Sequence, residues 1–513
     1  MKKVERYNII QLYGLIDKLS GPATRVCPTS RKSQLRTSRH LIYARARWED
    51  WTMPLYAGIK AWNEGMNSVP WMGPVLKVVA CFAVLWVVKR YFQGARTRAE
   101  RNMHSKVVMI TVGLSSQYDG MSHSDKLQGG TSGVGEEIIR ALATRGAQII
   151  LLTQHSLSDP FLVDFIEDMR TSTNNELITA EQVDLTSLYS IRTFATKWID
   201  NAPPRRLDMI ILCANTLTPK GGKIQVTDDG VELNWAVNYL ANFHLLSILS
   251  PAIRAQPADR DVRILFGHCS AYLGGSLPVA AGPATEGEEN ETETKGSKKG
   301  KKKDKTTTPP ARPKEATTKF RPWQAYATSK LALATFAHAF QKHLSAYARP
   351  DKLPMNARVV LVDPGFTRTP GMRRYLTRGS LLGLFLYLLS YPFWWFVLKS
   401  PEQGAQNFLH AAMEAEFGEG EGGWLIKECQ EVGIARAEVR DEGVQGELWK
   451  YSEGMIVEAE KRGKVVRDRK RREAEEREKT EKERVEREKV EKKGPKAKEE
   501  KREGSRRSKK SGK

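Results

Sequence analysis

Cysteine is scarce in this chain: five among 513 residues, an odd number, with no Cys-x-x-Cys spacing. That scarcity argues against a disulfide framework and against a zinc site, and it fits a reducing, cytosol-facing domain. The chain also lacks an uninterrupted apolar run of the about 20 residues that a simple membrane span requires. Acidic residues are outnumbered, 60 against 82 Lys and Arg, for a formal charge of +22. Much of that excess lies in the N-terminal region, an internal Lys run and the C-terminal tail. It therefore describes appendages, and no nucleic-acid-binding face is expected. Beyond about residue 457 the apolar positions are too few for heptads, so residues 461–513 read as a solvated charged helix or as disorder.

What is present is a chain of 40% hydrophobic content, read as one large domain with appendages. Residues 1–70 form a basic N-terminal segment without sustained periodicity. They read as a transit peptide or, up to residue 52, as sequence upstream of a start at Met53. Residues 71–93 predict a membrane anchor helix: from Pro74 to Val88 only Lys77 is charged, with Trp71, Trp86, Tyr91 and Phe92 as interfacial flanks. A buried helix is the competing reading. Lys89, Arg90, Arg96, Arg98 and Arg101 follow, which places everything downstream in the cytosol.

From residue 105 to 460 strand-like and helix-like runs alternate. Gln148 to Leu152, Leu207 to Cys213, Val262 to Phe266 and Ala357 to Val362 are continuous apolar strands, so the sheet should be parallel and covered on both faces, an α/β doubly wound fold. Two segments interrupt it. Residues 279–320 carry an acidic patch, a basic patch and Thr and Pro, a composition that cannot bury a core. Residues 381–398 hold no charge, but Pro392 breaks them and Gly423-Trp424-Leu425-Ile426 then reads as a strand rejoining the sheet. They predict an apolar flap over the substrate pocket that dips into the bilayer surface.

The chemistry-bearing residues come in a fixed order. Gly129, Gly130, Thr131, Ser132, Gly133, Val134 and Gly135 run into an apolar-spaced helix, and such a turn admits a pyrophosphate to backbone N–H groups at a helix N-terminus. Asp184 stands at a strand end, Asn238 within a helix, Ser270 just after a strand. Tyr326 and Lys330 are four apart on one helix face, where an ammonium favours the phenolate. Asp363-Pro364-Gly365 closes the series.

In this order the residues resemble the short-chain dehydrogenase/reductase family, and within it the membrane-associated group similar to retinol and polyprenol dehydrogenases, over residues 105–460. The resemblance implies that Tyr326 transfers the proton, Lys330 holds the nicotinamide ribose and tunes Tyr326, Ser270 binds the substrate oxygen, and Asn238 positions a water. It implies a cofactor cradle of Gly129, Thr131, Ser132, Gly133, Val134 and Gly135, with Asp184 and Leu185 bordering the adenine. Ala214, Asn215, Pro364, Gly365 and Thr369 complete it. No metal is implied.

Three departures matter. Asn215 stands where the family has Gly, so the turn is expected at positive φ with a side chain crowding the cofactor. Thr153 stands where NAD-using members carry an acid, which favours NADP and leaves NAD open. Residues 112–128 separate Thr111 from Gly129; removing them restores the family's unbroken Thr-Gly-Gly-Thr-Ser-Gly-Val-Gly. These seventeen in-frame codons, beginning with Val (GTN) and ending with Gln (CAG in one codon), read as a retained intron, with a genuine insert as the alternative.

The expected function is NADP(H)-dependent interconversion of a lipophilic alcohol and its carbonyl at a membrane, at the endoplasmic reticulum or lipid droplets, with a homodimer as a possible assembly. The rival is a catalytically silent, membrane-anchored dinucleotide-binding or scaffold protein.

Overall fold

The computed structural model describes residues 72–111, 133–201, 203–219, 221–279 and 320–508; the expectations for residues 1–71, 112–128 and 281–319 lie outside the described residues. The chain divides into two compact units, Met1–Val88 and Lys89–Lys513. Helix α1, Met72–Gln93, begins in the first and ends in the second. It displays apolar side chains all round, Val75, Leu76, Phe82, Val84 and Trp86 among them exposed. By length and composition, one helix among the described residues suffices to cross a membrane, Leu233–Arg254, and it is 78% buried in the protein. That helix is core.

The second unit carries an eight-stranded sheet ordered β3-β2-β1-β4-β5-β6-β7-β8. Its strands are β1 Val107–Thr111, β2 Gln148–Thr153, β3 Ile178–Gln182, β4 Met209–Leu212, β5 Val262–Gly267, β6 Ala357–Asp363, β7 Trp424–Lys427 and β8 Gln430–Val432. All neighbours pair in parallel except β7 with β8. Strands β1 and β4 are buried at every position, the pattern of strands covered on both faces. The doubly wound expectation holds. Strand β3, ITAEQ, went unread because it lacks a continuous apolar run. Hairpin β7–β8 turns on Glu428 and Cys429, both at φ 54.

One face is packed by α2 (Val134–Thr144), α3 (Pro160–Thr173) and α10 (Pro401–Met413). The other is packed by α4 (Leu188–Ile199), α5 (Leu233–Arg254) and α6 (Pro322–Ser345). Between β6 and α10 lie α7 (Pro370–Thr377), α8 (Leu381–Leu389) and α9 (Tyr391–Val397). The final helix α11, Glu442–Ser508, is longer than a bare tail. Its first turns lay Leu448, Ile456 and Ala459 into the core, and Trp449 against Phe243 and Phe336. Arg467 still reaches buried Asp229 at 3.6 Å and Lys470 reaches Asp228 at 2.5 Å, so packing continues past residue 460.

Candidate active site

The candidate residues gather at the carboxyl ends of the strands, where an open α/β sheet binds ligands in a crevice. Gly129, Thr131 and Ser132 lie outside the described residues. Gly133 has φ +90, and a Cβ there would come within 3.3 Å of Thr369 Cγ2. It caps α2 without a side-chain hydrogen bond, which leaves the first amides of Val134 and Gly135 without a side-chain cap. Under this turn, the Cβ of a residue replacing Gly135 would touch Cys213 Sγ at 3.4 Å, so the third glycine serves close helix–strand packing. Cys213 donates to Thr111 O at 2.9 Å, and Ala214 N donates to Thr111 Oγ1 at 3.2 Å.

Across the crevice, Gly365 adopts φ +73 after Pro364 and its N–H donates to Asp363 Oδ1 at 2.8 Å. Thr369 caps α7, accepting from Met372 N at 3.3 Å. The Asp-Pro-Gly turn thereby delivers Thr369 onto Gly133. At the far end Leu185 is buried. Asp184 accepts from Thr186 N and Oγ1 at 2.8 and 2.7 Å, so its carboxylate stabilises the turn that leads into α4.

Tyr326 and Lys330 share the buried face of α6, with Lys330 Nζ 5.7 Å from the phenol ring centroid and donating to Gly267 O at 2.9 Å. The expectation that an ammonium depresses the phenol needs correction. Burial dominates at both groups: it raises Tyr326 well above its ordinary value, with Cys269 adding to the rise, and it lowers Lys330. The group that acts in the opposite sense on Tyr326 is Asn215, whose Nδ2 donates to the phenol oxygen at 3.1 Å. Asn215 is not among the described residues with positive φ, so this turn does not require glycine's freedom. Its side chain is aimed at the phenol.

Ser270 is placed otherwise than the resemblance implies. Its Oγ donates to Asp363 Oδ2 at 2.6 Å and accepts from Lys427 Nζ at 3.0 Å. The strand-end side chain touching Tyr326 is Cys269, Sγ to Oη 3.3 Å. Burial raises its thiol as well. Asn238 sits in a π-helical turn, Ala236–Leu240, of α5 and is fully buried. Its amide accepts from Thr216 N at 2.8 Å, donates to Thr216 O at 2.9 Å and donates to Ser329 Oγ at 3.2 Å. One turn earlier Asn234 repeats the grip on Thr218. Two asparagines four apart thus clamp the segment that carries Asn215 to α5, and Asn238 ties α5 on to α6 through Ser329. Sequence reasoning passed over Asn234, Cys269, Lys427 and the Asp363 carboxylate. Asp363 alone had a signal, its place in the Asp-Pro-Gly turn.

No family model matches the chain. An uncharacterised oxidoreductase of Schizosaccharomyces pombe is 38% identical over 388 residues, covering 76% of this chain and 91% of the relative. An uncharacterised oxidoreductase of Saccharomyces cerevisiae is 31% identical over 80% of this chain and 93% of its own length. Mouse polyprenol dehydrogenase is 28% identical over 63% of this chain and 80% of its own. A short-chain dehydrogenase from Salmonella enterica covers 65% of this chain at 16% identity and a TM-score of 0.39. With a glycine turn entering α2, a Tyr and Lys four apart on α6 and the two fungal oxidoreductases as relatives, the chain belongs to the short-chain dehydrogenase/reductase family of oxidoreductases.

Proposed function

We propose that the protein is an NADP(H)-dependent oxidoreductase that interconverts a lipophilic alcohol and its carbonyl at a membrane surface, anchored through α1 with its sheet domain in the cytosol. The observation that carries this reading is the convergence of Tyr326 Oη, Asn215 Nδ2 and Lys330 Nζ at the carboxyl ends of the strands. The residues present fit a dinucleotide: the amides opening α2 carry no side-chain cap, and the crevice wall at Gly133 admits no Cβ without meeting Thr369. Gly133, Val134 and Gly135 would hold the pyrophosphate, and Lys330 the ribose. When bound, the dinucleotide supplies or accepts the hydride at the substrate carbon.

The chain's own residues handle the proton. In oxidation Tyr326 Oη takes the alcohol proton; in reduction it returns one to the carbonyl oxygen. Asn215 stabilises the phenolate that oxidation requires, and burial in the α5–α6 core shuts out bulk water. Thr153 is buried at the end of β2 and brings no acid against a ribose phosphate, which favours NADP over NAD. Localisation to the endoplasmic reticulum or lipid droplets belongs to the same reading, as does a lipophilic substrate, for which relatives named polyprenol and retinol dehydrogenase give support. The test is NADPH-coupled turnover of a fractionated lipid extract by the membrane-reconstituted chain. Turnover that disappears in Tyr326→Phe is expected; NADPH binding with no turnover of any fraction would leave the silent reading.

A further inference from the structure

Helices α8 and α9 display one continuous apolar face. Leu381, Leu382 and Leu389 are 73, 71 and 72% exposed and Phe385 is 63%, with Phe393 and Trp395 continuing the surface along α9. An apolar patch of this extent marks an interaction surface. The segment cannot span a bilayer. Helix α8 has nine residues and is about 14 Å long at about 1.5 Å per residue. Pro392 opens α9 after a break at Ser390, whose Oγ accepts from Trp394 Nε1 at 2.7 Å. Both ends return to one place, where Arg368 N donates to Lys399 O at 2.8 Å and Lys399 N to Phe366 O at 3.0 Å.

Charge identifies the occupant. From Pro364 to Ser400 there is no Asp or Glu, while Arg368, Arg373, Arg374 and Arg378 flank the apolar face; the fifth cation, Lys399, is buried and paired with Glu428. Arg368 lies over the Tyr391 ring at 5.6 Å. Residues 89–93, the end of α1 that belongs to the second unit, pack on the same segment: Lys89 Nζ lies 4.2 Å from the Trp395 ring centroid, and Phe92 packs against Phe396 at 6.1 Å. An apolar face rimmed by cations suits acyl chains beneath anionic headgroups. The face also communicates with the chemistry. Tyr326 meets Trp323 at 6.0 Å, Trp323 meets Tyr375 of α7 at 6.2 Å, and α7 leads directly into α8.

We propose that α8 and α9 form a second, monotopic membrane contact, lying in the interfacial plane of an anionic bilayer, and that the wall of Trp323 and Tyr375 is the route by which a bilayer-dissolved substrate reaches Tyr326. The entry route rests on the reading of the site as an oxidoreductase of lipophilic substrates; the membrane contact stands independently. The test uses the full chain in phosphatidylcholine/phosphatidylserine vesicles. An environment-sensitive fluorescent amino acid replaces Phe385, Leu389 or, as a control at the opposite end of the sheet, exposed Lys352. Emission from positions 385 and 389 should shift to the blue and be quenched by nitroxides on the acyl chains, with position 352 quenched by aqueous iodide alone. Iodide quenching at 385 and 389 with no acyl-nitroxide effect would overturn the contact. NADPH binding to the same samples is read separately. Its absence in every variant would sink the oxidoreductase reading and leave the label result to decide the membrane contact.

Discussion

Replacing Asn215 with Ala removes the one amide donor that touches the Tyr326 oxygen, at 3.1 Å, and leaves Cys269 as the remaining described partner. A hydrogen bond to a charged group is worth about 1.5–3 kcal/mol, and about 1.4 kcal/mol corresponds to one pKa unit. Asn215 donates to the phenolate more strongly than to the phenol, so its loss raises the Tyr326 pKa. The predicted rise is about one to two units. The assay is the pH dependence of alcohol oxidation in membrane-reconstituted protein: the rising limb of kcat/KM should move up by that amount, with a loss of about 10- to 100-fold at neutral pH. Asn215→Ser keeps a donor on a shorter arm and should fall between. NADPH binding, followed by fluorescence, should stay within about twofold. A slower Asn215→Ala enzyme whose pH profile superimposes on that of the wild type would refute the reasoning and reduce Asn215 to a steric element.

Other outcomes follow from the same geometry. His268 and His244 are buried and held neutral, pushed down to about 3 and about 4 from the ordinary 6.5, by burial first and then by Lys330 or Arg192. The unfolded chain binds protons there below pH 6.5 and the folded chain does not, so each should cost about 2 kcal/mol of stability between pH 6.5 and 5. A thermal midpoint in detergent that is flat over that range would contradict this. Gly133→Ala forces a side chain onto φ +90 and against Thr369, which should raise the NADPH dissociation constant at least tenfold with the fold intact by circular dichroism; unchanged affinity would move the phosphate site elsewhere. If residues 112–128 are a retained intron, mature transcripts lack the segment, and deleting it from the chain strengthens NADPH binding; messages that all contain it would end that idea.

The parallel sheet was legible because β1, β2, β4, β5 and β6 are largely buried on both faces and so read as mainly apolar runs, with Arg263 in β5 and Arg358 in β6 as the charged exceptions. Strand β3 was not, since its exposed and half-buried positions hold Ala180, Glu181 and Gln182. Tyr326, Lys330 and Asn238 declared themselves by order along the chain. What they touch did not, because contacts such as Ser270 with Lys427 join residues 157 apart and depend on strand register. Residues 381–398 show the same division. Composition marked the segment as apolar and Pro392 marked the break, but only the pairing of Phe366 and Arg368 with Lys399 shows that the segment leaves and re-enters at one point.

In the proposed reaction Tyr326 exchanges a proton with a substrate oxygen while hydride passes to or from a nicotinamide. Deuteride transfer tests it most directly: [4-²H]NADPH, a long-chain aldehyde in vesicles, and mass analysis of the alcohol formed by the full chain. Deuterium is expected on the carbinol carbon, and its transfer should be lost in Tyr326→Phe with NADPH binding retained. Deuterium transfer undiminished in Tyr326→Phe would contradict it.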